Sequence, residues 1–246
     1  ISQEANSTAV DFIHQKIKQL VKVQSVAAKL CPKTTMGCKR LCVDSDYYKT
    51  FNRDNVSLVD INEDPVKTIT EHGLSTAKTE YRFDSLILAT GFDAMTGALL
   101  DIKIHGRKAQ TLSKHWAEGP LNYLGLMMNG VPNLFTVTGP GSPSVLSNMI
   151  VEIEKHIDFI GDLLIFMRQN VKRNFEATRQ AEIDWVQQVN GIAEQTLYTS
   201  GCNSWYLGAN IPGKPRIFMP YVGGFPQYKS RCDAIVQNHY EGFVIS

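Results

Sequence analysis

Two short stretches carry side chains whose types and spacing suggest chemistry. Gly37-Cys38-Lys39-Arg40 sets two cations just past a turn. Arginine offers a planar, permanently charged fork and lysine a mobile point charge, a pairing suited to an anion. The same pair would sit equally well in solvent on a surface. The second stretch is Thr138–Met149, TGPGSPSVLSNM, which follows the apolar run Asn133–Val137 and precedes a helical pattern. Ligands of open α/β sheets bind beyond the carboxyl ends of the strands. A helix start there presents amide N–H groups and a positive dipole end. Gly139 and Gly141 would let a flat ligand approach the backbone, and Ser142, Ser144 and Ser147 add hydroxyls. The stretch has no Walker lysine, no third glycine of G-x-G-x-x-G and no G-x-S-x-G elbow. A plain strand-to-helix turn, punctuated as such turns are by Gly and Pro, is the competing reading.

Other candidates are weaker. Trp205, within NSWYLGANIPGKPR, would stack on a ring or fill a core. ATGF, Ala89–Phe92, reads as the end of a buried strand. His105, His115 and His156 are scattered, and His156, set among charged residues, is expected to be solvated. No Ser-His-Asp or Cys-His arrangement follows from these spacings. Cys31, Cys38 and Cys42 have gaps of six and three residues, with no second pair to complete a zinc site. An odd total of five cysteines favours reduced, cytoplasmic thiols.

These residues need elements to hold them. The chain has 246 residues, 43% of them hydrophobic and 20% charged, and a net charge of +1. That composition is ordinary for a globular protein and gives no reason to expect nucleic acid or membrane as a partner. No apolar run reaches membrane-spanning length. The spacing of Val10, Ile13, Ile17, Leu20 and Val21 predicts one helix over Thr8–Leu30, capped by Ser7 or Thr8 and ended by Pro32. Short strands are expected from Gly37 to Phe92: NVSLVDI, VKTIT and AKTEYRF, the last two flanking a hairpin turn at EHGLS, then the buried strand DSLILATGF. Asp93–Pro132 reads as irregular, and Asn133–Val137 as another buried strand. Helices are expected over Val145–Asn170, Glu176–Thr196 and Pro226–His239. The first of these would bury Met149, Ile150, Ile153, Ile157, Ile160, Leu164 and Met167. The mixture indicates an α/β fold. Its first strands are missing, and the absent initiator Met suggests a chain cut from something longer.

GCKR, DYYKTFNRDNVSLVD, DSLILATGFDAMTGALLDIKIHGR, NGVPNLFTVTGPGSPSVLSNM, NSWYLGANIPGKPR and YVGGFPQY occur in one order and at a characteristic spacing. Together they resemble the second half of a class B flavin-dependent monooxygenase, a Baeyer–Villiger monooxygenase of the phenylacetone/cyclohexanone type. The resemblance implies a partial flavoprotein with two Rossmann-like dinucleotide-binding domains and its N-terminal half missing. Residues 1–33 would belong to the helical insert of the NADPH domain, 34–92 to the rest of that domain, and 93–246 to the C-terminal part of the FAD domain.

It also implies FAD and NADP as cofactors, with a ketone and O2 as substrates. One oxygen atom would be inserted beside the carbonyl through a flavin C4a-peroxide to give an ester or lactone. Arg40 matches the family's catalytic arginine and Lys39 the lysine facing the NADP 2′-phosphate. Trp205 matches a tryptophan near the nicotinamide nucleotide. Gly139, Ser147, Asn148 and Met149 would lie against the cofactor, and Ser144, Val145, Leu146 and Met149 would line the substrate pocket. Two departures stand out. TTM replaces the Pro and aromatic usual before the GCKR glycine, and the aspartate that orients the arginine would lie upstream. The segment alone is expected to be inactive and to need its N-terminal half. Two alternatives stay open: S- or N-oxygenation, and a truncated, non-catalytic chain that binds a partner protein.

Overall fold

The computed structural model describes residues 2–200 and 202–246. The chain divides into two compact units, Ile1–Gly91 and Phe92–Ser246. In the first, α1 (Gln3–Leu20) begins earlier than its apolar period predicts, because the Ser2 side chain accepts the Ala5 N–H at 3.2 Å. The single helix expected to Leu30 breaks at Val21–Val23, where the backbone turns extended, and resumes as α2 (Gln24–Leu30). Asn52 satisfies the break: its amide donates to the Leu20 carbonyl at 2.7 Å and its carbonyl accepts Lys22 N–H at 2.8 Å. Ile17, Val21, Ala27 and Cys31 form a small core under Tyr48, from the short α3 (Tyr47–Thr50), and Phe51.

The sheet of this unit is an antiparallel meander of β1 (Val66–Thr70), β2 (Gly73–Thr76) and β3 (Glu80–Arg82). The sequence reading put a turn across EHGLS. Instead Thr70 pairs with Gly73 across a two-residue turn, and GLST is itself the middle strand. Asp64 fixes the second turn by accepting the Thr76 hydroxyl at 2.7 Å and Lys78 N–H at 3.0 Å. NVSLVDI is not a strand. Nor is Ser85–Gly91, where Leu86, Ile87 and Leu88 are 41%, 87% and 68% exposed. A strand buried on both faces needs neighbours, and none among the described residues pairs with this run.

The second unit carries the larger core. α4 (Gly97–Asp101) and α5 (Leu112–His115) are short. α6 (Met149–Gln169), α7 (Arg179–Glu194) and α8 (Phe225–Gln237) surround an aromatic cluster that includes Phe159, Phe175, Trp185, Tyr206 and Tyr228. β4 (Phe175–Ala177) pairs antiparallel with β5 (Phe243–Ile245), and Phe175 stacks on Phe243 at 4.4 Å. Asn133–Val137 runs without a ladder. It is held by single bonds such as Thr136 N–H to the Leu126 carbonyl, 2.8 Å.

α6 corrects the face read from its sequence. Ile150, Ile157 and Leu164 are 65%, 54% and 53% exposed, while Glu152, His156, Phe159, Leu163 and Met167 are buried. The helix carries two stripes, and its period alone does not say which one the core takes. All strand pairs among the described residues are antiparallel. No helix of the described residues is long and apolar enough to cross a membrane.

Candidate functional site

In the first unit, the GCKR turn borders a groove of about 710 Å³. α1 supplies one wall with Ile13 and Ile17, and Tyr47 and Tyr48 supply part of another. Asn6 of α1 holds both backbone groups of Met36: its amide donates to the carbonyl at 2.9 Å and its carbonyl accepts the N–H at 3.2 Å. Gly37 follows at φ +84°, a left-handed turn that glycine enters without strain. The departure at TTM thus has its own anchor. Lys39 and Arg40 emerge exposed beyond it and line the groove.

In the second unit, a cavity of about 450 Å³ opens over the Thr138–Met149 stretch. Thr138, Gly139, Ser144, Val145, Met149 and Trp205 line it with Met95, Leu99, Phe135, Thr136 and Val137. The structure therefore brings together Gly139, Ser144, Val145, Met149 and Trp205. It places three other sequence-derived residues differently. Leu146 packs on the aromatic core. The Ser147 hydroxyl lies 3.2 Å from the Ser144 carbonyl and 3.0 Å from Glu152 Oε2. The Asn148 carbonyl accepts Ile150 N–H and caps α6. The last two side chains serve the local backbone.

The loop's glycines answer to the protein's own packing. A Cβ on Gly139 would stand 2.6 Å from the Gly125 carbonyl oxygen. One on Gly141 (φ +94°) would stand 2.9 Å from Trp185 Nε1. Much of the loop's donor capacity is also spent inside. Gly139, Gly141 and Ser142 N–H donate to Gly125, Met219 and Gly139 carbonyls. Among the described residues, no lysine or arginine lines the cavity. A wall of Leu, Val, Phe, Met and Trp with a few hydroxyls does not fit a pyrophosphate. It does fit the face of an uncharged ring system, and the volume falls within the roughly 300–1,000 Å³ typical of ligand pockets.

Beneath the loop lies a polar cluster that the sequence reading missed. His156, expected to be solvated, is fully buried. Its Nδ1 accepts Thr138 N–H at 3.0 Å, and its Nε2 lies 2.6 Å from the Tyr228 hydroxyl, which donates to the Leu124 carbonyl at 2.5 Å. Burial, with the Lys155 charge adding to it, pushes His156 down to about 4. Glu152, also fully buried, is pushed up by burial. Burial likewise raises Tyr228 well above its ordinary range. The available signal was the i, i+4 spacing of Glu152 and His156 on the helix that leaves the loop. Among the cysteines, Cys31, Cys42 and Cys232 are free thiols, whereas Cys38 and Cys202 are not, which corrects the expectation for those two. Among the described residues, no group of three or more His, Cys, Asp or Glu is placed to hold a metal.

No family model matches the chain. It is, however, 40% identical over 246 residues to cyclohexanone 1,2-monooxygenase of Acinetobacter sp, which covers 99% of this chain and 44% of that protein. It is 38% identical over 246 residues to phenazine N-monooxygenase PhzNO1 of Lysobacter antibioticus, covering 100% of this chain and 45% of that one. The solved structure of OTEMO in complex with FAD and NADP superposes with a TM-score of 0.94 at 38% identity, over 100% of this chain and 45% of that one. Over its whole length, then, the chain is a homologue of flavin-dependent monooxygenases of the Baeyer–Villiger type. It spans about half the length of the curated relatives it matches.

Proposed function

We propose that this segment is the C-terminal half of an FAD- and NADPH-dependent monooxygenase that inserts one oxygen atom from O2 beside a ketone carbonyl, giving an ester or lactone. The observation that carries the reading is the uncharged, ring-sized cavity in a chain that matches 44% of cyclohexanone 1,2-monooxygenase along 99% of its own length. In this reading residues 1–33 are a helical insert, 34–92 complete an NADPH-binding domain, and 93–246 are the returning part of an FAD-binding domain. When bound, the flavin would supply the activation of O2 with electrons from NADPH.

The chain's own residues would do the rest. Gly139, Ser144, Val145 and Met149 would bear on the ring and substrate, Ser147 and Asn148 would shape the turn behind them, and Trp205 would face the nicotinamide nucleotide. Leu146 would act from beneath, through its packing. Lys39, exposed beyond the turn that Asn6 anchors, would meet the NADP 2′-phosphate as a point charge. Arg40 would hold developing negative charge, as a guanidinium does at any working pH. The missing N-terminal half would supply the nucleotide fingerprints, so the segment alone would be inactive.

The test uses the complete protein. Arg40→Ala should lower ester yield by about a hundredfold or more, the scale of losing one charge-stabilising group, while NADPH still bleaches the flavin. Unchanged ester yield would remove Arg40 from the role. One observation favours a second reading: the 38% identity to a protein named as a phenazine N-monooxygenase. Offering the complete protein a ketone, a sulfide and a nitrogen heterocycle separates the two by product.

A further inference from the structure

Three buried groups under the Thr138–Asn148 loop, Glu152, His156 and Tyr228, are used by neither reading of the reaction, and with Ser147 they form two chains. In the first, Thr138 N–H occupies His156 Nδ1, so the ring proton sits on Nε2 and points at Tyr228, whose own proton goes to the Leu124 carbonyl. A second proton on Nδ1 would face the Thr138 N–H. In the second chain, Ser147 Oγ lies between Glu152 Oε2 (3.0 Å) and the Ser144 carbonyl (3.2 Å), while Glu152 Oε1 makes no hydrogen bond and lies 3.8 Å from His156 Nε2. Ser144 is held at φ +48°, a left-handed conformation that costs a non-glycine residue of order 1–3 kcal/mol and persists only where the surroundings enforce it.

We propose that Glu152 and His156 are positioning residues that clamp the two ends of this loop to α6 and so set the shape of the cavity floor presented to the bound ring. The inference rests on the flavin reading of that cavity for its consequence, and on hydrogen bonds within this chain for its geometry. His156 fixes Thr138, where the loop begins. Glu152 fixes Ser144 through Ser147, at the strained residue whose side chain lines the cavity. Burial favours the uncharged form of both. Ser147 Oγ has one proton for two acceptors, Glu152 Oε2 and the Ser144 carbonyl; with Glu152 protonated, the carboxyl would donate to Ser147 and free that proton for the carbonyl.

The test is made on the complete protein with FAD, with two readouts. The first is amide hydrogen exchange at Thr138. His156→Leu should speed it about tenfold relative to α6 amides, the scale of losing one buried hydrogen bond. His156→Asn, whose carbonyl can stand near the Nδ1 position, should restore protection. The second is the visible band of the bound flavin and its affinity. Glu152→Ala should shift the band and weaken FAD about tenfold, and Glu152→Gln should keep both. Ser147→Ala, a milder cut in the same chain, serves where Glu152→Ala does not fold. Unchanged Thr138 exchange in His156→Leu overturns the proposal. So does an unchanged flavin band in folded variants that break the Ser147 link. If the parent binds no flavin but Thr138 responds as stated, the flavin reading fails and the clamp stands.

Discussion

Ser85–Gly91 and Asn133–Gly139 look alike in sequence: each is an apolar run that ends at a glycine, and each overlaps a stretch that reads as a buried strand, Asp84–Phe92 and Asn133–Val137. In the structure neither joins a sheet. The second is nonetheless built into its unit, through Thr136 to Leu126, Gly139 to Gly125 and Thr138 to His156. The first has Leu86, Ile87 and Leu88 facing outward. An apolar run states a demand for cover and not the source of that cover. In one case the cover is this chain's own aromatic core. In the other, no described residue supplies it, in a chain half as long as its relatives.

The comparison breaks first at the core that holds the loop. Trp185 is 2% exposed, donates to the Gly141 carbonyl at 2.9 Å and stacks on Tyr221 at 5.3 Å. Trp185→Ala should cost about 3–5 kcal/mol, the usual range for emptying a packed aromatic site. Urea unfolding of the chain followed by far-ultraviolet circular dichroism measures it. A cost below about 1 kcal/mol, ordinary for a surface site, would mean that the loop is no better supported than Ser85–Gly91.

Acid tests the same support from beneath. His156 sits at about 4 in the folded chain against an ordinary 6.5, so the unfolded chain takes up a proton that the folded one refuses. Its contribution is therefore complete above pH 6.5 and is lost as the pH falls from 6.5 to about 4, by at most roughly 3 kcal/mol. Glu152, raised by burial, runs the other way: its contribution is present at low pH and is lost as the pH rises through its folded value. Because the two act in opposite directions, the urea midpoint should fall further, or rise less, between pH 7 and 4.5 in the parent than in His156→Asn. Equal changes would show that some other group governs the acid limb.

How much could be read ahead follows from the same physics. Local signals served well. α6, α7 and α8 fall within a few residues of their expected spans, since caps such as Asn148 and Thr178 are written next to the helices they start. Cover was not legible. Ile150, Ile157 and Leu164 make a convincing stripe, yet the core takes the stripe with Glu152 and His156 in it. Burying those two depends on Thr138, Ser147 and Tyr228, which lie 18, 5 and 72 positions away from their partners. Gly139, Ser144, Val145 and Met149 meet at one cavity because their motif is local, whereas Trp205 reaches it from a distant motif. The backbone tasks of Ser147 and Asn148 had to be seen in the structure.

The smallest effect sharpens the comparison most. Ile87 is 87% exposed, so in this 246-residue chain Ile87→Ser should change stability by no more than about 0.5 kcal/mol, as surface substitutions do. In a longer protein that contains this chain, the same change should cost about 2 kcal/mol or more if residues outside this segment lay strands beside Ser85–Gly91, since burying an isoleucine is worth roughly that much. The two urea midpoints, each with its own parent as reference, decide it. A neutral result in both would mean that this run stays uncovered in the whole protein, and its outward side chains would need another explanation. A large cost in the short chain would mean that Ile87 is covered within this segment in solution. A cost only in the complete protein would make Ser85–Gly91 the counterpart of Asn133–Gly139: the same kind of run, covered by residues beyond this segment.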